Sequence, residues 1–433
     1  MSDNRFDVIV VGAGPAGLAA AKTCADANLN TIVIERGKAP GSKNVMGGVL
    51  YTRPTADVFP EFWKDAPLER AVVEQNAWVL TEDSALKLGY RNSRFADEPA
   101  NAFTVLRVKL DTYFARKAEE AGALIINETR VDDVLREDGA VVGVRVGREQ
   151  GEVYAPIVII AEGVNPQLSI AAGMQTQLGL HDAAGVSKEV IALDPKTIED
   201  RFGVRDNEGA TIEFYGDAAL NRLGTGFIYT NRETVSVGMG MICADWVDEA
   251  LSPYDALQRF KAHPMVAPLL DGGETVEYLA HMIPEGGFRR LPDLYAAGVM
   301  IVGDAAMLVN AVHREGANHA ITSGKLAGET AIEAHQAGDF TKATLSAYEK
   351  RLWDDAPTLK DLKKYRDASR LLEDNPLLLG EYPGLASDAA LDVLTVDDES
   401  KREKQWKIIR TFLRERGWIG LISDGIKGGR AMW

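Results

Sequence analysis

Gly12-Ala13-Gly14-Pro15-Ala16-Gly17 is followed, eighteen residues after its last glycine, by the carboxylate of Glu35. A glycine run and an acid at that spacing do their chemistry on a dinucleotide. Gly12 permits a sharp turn, Gly14 lets the backbone approach a pyrophosphate without a Cβ in the way, and Gly17 lets a helix lie close on a strand. Glu35 accepts hydrogen bonds from ribose hydroxyls, which favours FAD or NAD over a 2′-phosphorylated cofactor. A second acid, Asp304, follows Gly303 and is placed to accept bonds from a ribityl chain. Gly316-Ala317-Asn318 then offers free amides and a positive dipole end to a ring or a phosphate. The six histidines show no metal-ligand spacing, and no Ser-His-Asp or Cys-His set is evident. His313, between the Gly-Asp strand and the Gly316 turn, is the candidate proton donor near a bound ring.

These residues need elements to hold them. Asp7 to Val11 is a β-branched run that enters the glycines without a spare residue, and Thr31 to Ile34 is a second strand ending at Glu35. Arg107 precedes a helix expected over 108–121. A cation is disfavoured at a helix start, so Arg107 points to an anionic partner, phosphate or ribityl of the cofactor. Ile157 to Ala161 reads as a strand buried on both faces, running into Glu162-Gly163 at its carboxyl end, where open α/β sheets bind ligands. Val299 to Val302 is a third such strand before Gly303-Asp304, and His319 to His335 a helix rich in small residues. Residues 185–244 alternate with period two and are punctuated by turns, which predicts an antiparallel sheet inserted between halves of the nucleotide-binding domain.

The expected fold class is therefore α/β: a Rossmann-like FAD-binding domain over 1–55, 103–170 and 293–336, an antiparallel-sheet substrate domain over 56–102 and 171–292, and a helical C-terminal region over 337–433. The chain has 433 residues, 46% of them hydrophobic and 26% charged, with no apolar run long enough to cross a bilayer and no signal-peptide h-region at its start. A cytoplasmic or peripheral protein is expected. Net charge of −16 argues against nucleic acid as a partner. The charge is uneven: nine basic and three acidic residues from 401 to 433 give +6 there, against −22 for the rest. Within that tail, Trp406, Ile408, Ile409, Phe412 and Leu413 fall on one side of a helix, with Glu403, Lys404, Lys407, Arg410, Thr411 and Arg414 opposite. Such a helix suits an anionic membrane interface or an acidic partner. Two cysteines, Cys24 and Cys243, are too few for an iron–sulfur cluster on this chain.

Taken in order, strand-GAGPAG-helix-strand-Glu, Arg107, Ala161-Glu162-Gly163 and Gly303-Asp304 resemble the FAD-binding fold of the glutathione-reductase/hydroxylase superfamily. Within it, GSKNVMGGVLY (41–51), HMIPEGGFRRLP (281–292) and MIVGDAAMLVNAVHREGANHAITSGKLAGE (300–329) are similar to one branch, the electron-transfer-flavoprotein:quinone oxidoreductases and their bacterial FixC relatives. The resemblance implies non-covalent FAD held by Gly12, Ala13, Gly14, Pro15, Ala16, Gly17, Glu35, Arg36, Gly47, Gly48, Arg107, Val131, Ala161, Gly163, Gly303, Asp304, Gly316, Ala317 and Asn318. Glu162 stands where the pattern more often has Asp.

The same resemblance implies partners. FixA- and FixB-like subunits form the electron-transfer flavoprotein, a ferredoxin-like FixX-type subunit carries the iron–sulfur cluster, and quinone accepts electrons at a peripheral membrane surface. The implied setting is electron bifurcation from NADH that supplies low-potential reductant for nitrogen fixation. The alternatives are a geranylgeranyl-reductase-type flavoprotein that saturates prenyl chains, a flavin hydroxylase, and a non-catalytic scaffold clamped by its flavin.

Overall fold

In the computed structural model, which describes residues 5–43, 48–147, 151–310 and 315–432, two sheets dominate. The first has six strands in the order Tyr295–Ala296, Val299–Ile301, Ile157–Ile160, Val8–Val11, Thr31–Ile34 and Leu124–Ile126. All neighbours are parallel except the short edge pair, Tyr295↔Met300 and Ala296↔Val299. Its four central strands are buried at every residue, as the unbroken β-branched runs require of a sheet covered on both faces. This is the α/β FAD-binding architecture expected from the glycine fingerprint.

One covering helix, Pro15–Asp26, starts directly from the fingerprint, and a second, Ala317–Ala337, packs along it. Glycine makes this pair of helices close: a Cβ on Gly324 would stand 2.1 Å from the Ala16 carbonyl oxygen, and one on Gly328 would stand 2.8 Å from Thr23 Cβ. The small-residue character of 317–337 thus has a packing cause. The helix over 107–120 lies beside the fingerprint helix and starts one residue before the expected 108.

The second sheet has nine strands and its own hydrophobic core around Phe214, Ile228, Val237, Met239 and Leu257. It is antiparallel as expected, with one exception. Leu68–Leu80 runs parallel to Glu208–Gly216, so the sheet is mixed. Gly48–Tyr51 and Ala102–Val105, which apart from Ala102 were expected inside the FAD-binding domain (1–55 and 103–170), belong instead to this sheet: they pair with each other, and Ala102–Val105 pairs with Leu68–Leu80. Their side chains Leu50 and Val105 nevertheless belong to the core of the parallel sheet. These two strands therefore stitch the layers together. A three-stranded antiparallel sheet over 131–154 completes the β-structure.

From Lys342 onward the described chain is helical. Its last segment, Lys401–Met432, is two helical arms that meet at Gly417, whose φ of 65° and ψ of 162° break the helix. Ser400 and Glu403 cap the first arm reciprocally, each accepting the other's backbone N–H at 3.3 and 3.0 Å. Arg416 pairs with Asp424 across the bend, and Tyr382 donates to Asp424 at 2.8 Å. Lys404, expected on the polar side, is instead tucked inward, where it donates to the Thr395 carbonyl at 2.8 Å and to Asp397 at 2.7 Å. Trp406, Trp418, Ile422 and Ile426 are exposed, Trp418 by 68%.

Candidate functional site

Each glycine of the fingerprint meets a different constraint. Gly12 has φ +105°, and a Cβ there would lie 2.3 Å from the Ala161 carbonyl oxygen; a Cβ on Gly17 would lie 2.0 Å from the Gly12 oxygen. Those two positions are closed by the protein itself. Gly14, in extended backbone, has nothing within 4 Å of where its Cβ would be. The space in front of Gly14 is open, beside the free first-turn amides of the helix that begins at Pro15, which is the geometry of a phosphate cradle.

That space belongs to a cavity of about 790 Å³ running between the two sheets. Of the expected contact residues, Gly12, Gly14, Pro15, Ala16, Glu35, Arg36, Gly48, Arg107, Val131, Ala161, Gly163, Asp304, Gly316 and Ala317 line it. Four do not, each for a packing reason. Ala13 is buried with its amide given to Glu35, Gly17 abuts Gly12, a Cβ on Gly303 would stand 2.9 Å from Ala16 Cβ, and Asn318 is buried in the first turn of its helix. Gly47 and His313 lie outside the described residues.

Glu35 is fixed by the amides of Ala13, at 2.9 Å on Oε2, and Gly37, at 2.5 Å on Oε1. It is preorganised as an acceptor at the cavity wall. Arg107 finds an anion within the chain rather than only in a ligand: Asp111, one turn on and fully buried, accepts its Nε at 2.9 Å and Nη2 at 2.7 Å. Although burial disfavours the guanidinium charge, this carboxylate and the more distant Asp304 hold the charge in place. Asp304 itself is pushed up by burial, a shift that Arg107 opposes. Glu162, which also lines the cavity, accepts the amides of Leu168 and Ser169 at 2.7 and 2.8 Å and the Ser169 hydroxyl at 2.6 Å. It caps the short helix over 167–171.

The far end of the cavity was not foreseen. The strand Ala183–Ala192 contributes Lys188, buried and 5.1 Å from the centre of the Phe227 ring. Burial, then the Arg107 charge, lowers its ammonium to about 7, partly offset by Glu277. The imidazole of His281, on the paired strand opposite Val186, is pushed down from its ordinary value by burial, then by the charges of Arg107, Arg36 and Lys188. Glu213 accepts the Tyr229 hydroxyl at 2.9 Å. The signal for Lys188 was present: it shares the parity of Val186 and Val190, so a lysine occupies the apolar face of an alternating strand. Leu371, Leu372 and Leu378 of the C-terminal region close this end against Leu223, Ile242 and Ile283. A polar, amide-rich half and an apolar half thus share one space. The arrangement fits an extended dinucleotide with a flat apolar substrate beyond it.

Comparisons with known proteins agree with this division. A FAD dependent oxidoreductase model matches residues 7–233, a model for the ubiquinone-binding part of ETF-QO matches 204–283, and the ETF-QO/FixC family C-terminal domain matches 368–433. Protein FixC of Azotobacter vinelandii is 44% identical over 429 residues, covering 99% of both chains. Protein FixC of Bradyrhizobium diazoefficiens is 42% identical over 435 residues, covering 100% of both. The probable electron transfer flavoprotein-quinone oxidoreductase YdiS of Escherichia coli is 39% identical, again over 100% of each. Among solved structures, a geranylgeranyl bacteriochlorophyll reductase-like protein from Thermoplasma acidophilum shares the fold, with a TM-score of 0.72 at 22% identity over 95% of this chain and 98% of that one. With full-length identity of this order and a family model at each part of the cavity, the chain belongs to the ETF-QO/FixC family of FAD-dependent oxidoreductases.

Proposed function

We propose that this chain is the FAD-containing subunit of a Fix-type complex, taking electrons from a FixA/FixB-like electron-transfer flavoprotein and passing them to quinone. In that complex NADH electrons are divided between a low-potential carrier for nitrogen fixation and the quinone. The observation that carries the reading is the single cavity with an amide-lined half at Gly14 and an apolar half closed by Leu371, Leu372 and Leu378. FAD, when bound, supplies the one- and two-electron chemistry.

The chain's own residues bind and tune it. The amides after Gly14 and the dipole of the fingerprint helix take the pyrophosphate, Glu35 and Arg36 the ribose, and Asp304 the ribityl chain. Arg107 and Lys188 set a positive potential along the cavity, which favours gain of electrons there. The leucines exclude water from the apolar half. Cys24, its thiol pushed up to about 12 by burial, packs as an apolar residue, and Cys243 stands on another element. An iron–sulfur cluster in the complex is therefore assigned to a FixX-like partner. Among the described residues no helix is long and apolar enough to cross a membrane. The exposed Trp406 and Trp418, with the exposed cations Lys401, Arg402, Lys407, Arg410 and Arg414, are assigned to a peripheral contact with the cytoplasmic face of the membrane.

The test is single-turnover kinetics. The holoprotein, reduced anaerobically by an electron-transfer flavoprotein, is mixed with short-chain ubiquinone, and flavin reoxidation is followed. Reoxidation by quinone supports the reading. Loss of unsaturation in a prenyl lipid, with quinone inert, transfers the chain to the reductase reading.

A further inference from the structure

Beside the large cavity lies a smaller one of about 210 Å³, lined by polar and charged groups and walled by Phe288, Arg289, Tyr365, Arg370 and Glu373. The two linings share two residues, Val309 and Glu285. Valine carries no proton. Glu285 follows the strand Glu274–Pro284 and is held by its backbone: its amide and that of Gly286 both donate to the Asp182 carbonyl, at 2.9 and 3.0 Å. Asp182 is anchored in turn by Arg290 at 2.8 Å.

The side chain of Glu285 is differently placed from the other cavity acids. Glu35, Glu162 and Glu213 are pinned by hydrogen bonds, and Asp304 feels the more distant Arg107 charge in the cofactor half. Among the described residues, the Glu285 carboxyl has no side-chain hydrogen bond. Its backbone is pinned by hydrogen bonds while the residue borders both cavities.

Resting on the quinone reading above, we infer that Glu285 is the proton carrier between the polar cleft and the apolar cavity. Reduction of a quinone to quinol takes two electrons, delivered from the reduced flavin, and two protons, one to each oxygen. The leucine and isoleucine side chains that close the apolar end supply no proton. Glu285 gives one of the two protons on the cavity side, its O–H bond breaking as one quinol O–H forms, and recovers a proton from solvent through the cleft; the other proton leaves the reduced flavin with its electrons.

The charged groups around it suit that traffic. From the 178–182 turn come His181 and Asp182, from its own segment Arg289 and Arg290, and from the C-terminal helices Arg366, Arg370, Glu373 and Asp374. His181 Nδ1 stands 3.8 Å from Glu373 Oε2, and Asp245 acts on Glu373 from the helix Cys243–Glu249. Burial, then the negative charge of Glu373, pushes Glu285 up to about 7, so both of its forms are populated near neutrality.

The experiment uses the full-length holoprotein and Glu285→Gln, with Glu285→Asp as the variant that keeps a carboxyl. We expect Glu285→Gln to keep its FAD and to slow flavin reoxidation by short-chain ubiquinone by roughly tenfold or more, with partial recovery in Glu285→Asp. The inflection near neutral pH in that rate disappears in Glu285→Gln. A wild-type rate with the inflection intact in Glu285→Gln overturns the proposal. A second readout needs no quinone: infrared difference spectra between about pH 6 and about pH 8 show a protonated-carboxyl band in the wild type that Glu285→Gln lacks. Absence of that band from the wild type also overturns the assignment. If the band is present but quinone leaves the reduced flavin untouched, proton exchange at Glu285 stands and the quinone reading falls.

Discussion

Gly14→Val separates what the fold needs from what the cofactor needs. Gly14 has φ −85° and ψ −179°, extended backbone that any residue adopts, and its Cβ position is empty to 4 Å. Replacing glycine where the backbone permits it lowers the entropy of the unfolded chain, by about 0.4–1 kcal/mol for Ala. The apoprotein of Gly14→Val is therefore expected to be as stable as wild-type apoprotein or slightly more so. The loss falls on binding, because three added carbons occupy the pyrophosphate's place. A cofactor present at about a thousandfold over its Kd adds about 4 kcal/mol to folding stability, and that increment vanishes with it. Gly17→Ala behaves oppositely: its Cβ, 2.0 Å from the Gly12 oxygen, forces strand and helix apart, at an overpacking cost of about 1–3 kcal/mol in the apoprotein. The assay is flavin absorbance per chain after purification, with thermal unfolding with and without added FAD. A fully flavinated Gly14→Val, or an apoprotein as unstable as that of Gly17→Ala, refutes this reasoning.

Four further outcomes are expected. Because Glu285 is raised from 4.5 to about 7 in the folded state, folding stability falls as pH rises between those values, by up to about 3 kcal/mol, and Glu285→Gln removes that slope in urea titrations. Lys188→Met, compared at about pH 6 where the wild-type ammonium is mostly charged, takes a cation from the cavity wall and should lower the flavin midpoint potential by about 30 mV, or about 1.4 kcal/mol for a two-electron couple, measured by spectroelectrochemistry; an unchanged or higher potential contradicts the placement of that charge. The purified chain, reconstituted with iron and sulfide, should hold flavin but no stoichiometric cluster, and cluster iron would place the metal here and not on a partner. Deleting residues 401–433 should weaken sedimentation with anionic vesicles or retention of a partner subunit while FAD is kept, and retention of both at low salt makes the tail a structural element only.

The nucleotide half was legible because its code is local. Strand, glycines, helix and Glu35 lie within some thirty consecutive residues, and each position has one physical reason. Arg107 was read as a residue seeking an anion, which was sound chemistry, but the anion one turn away, Asp111, was missed as the first partner. The far half was not legible. Val186 meets His281 only through a strand pairing that spans most of a hundred residues, and Leu68–Leu80 pairs in parallel with a strand that follows well over a hundred residues later. Such registers are set by tertiary packing, and local alternation does not specify them. Glu285 lies in the 281–292 stretch that carried the family resemblance, but nothing there singled it out, because its character comes from two cavities that exist only in the fold.

The close seat of the helix Ala317–Ala337 on the fingerprint helix sets an order of events at the ribosome. Ala16 and Thr23 emerge first, while their glycine counterparts, Gly324 and Gly328, follow about 300 residues later, which at roughly 5–20 residues per second is about 15–60 s of synthesis. Through that interval the first helix has made its turn but lacks the surface that buries its outer face. The nascent chain thus carries an exposed alanine-rich flank near its start, available to chaperones, and the cofactor cradle gains its lasting rigidity only once the late helix docks.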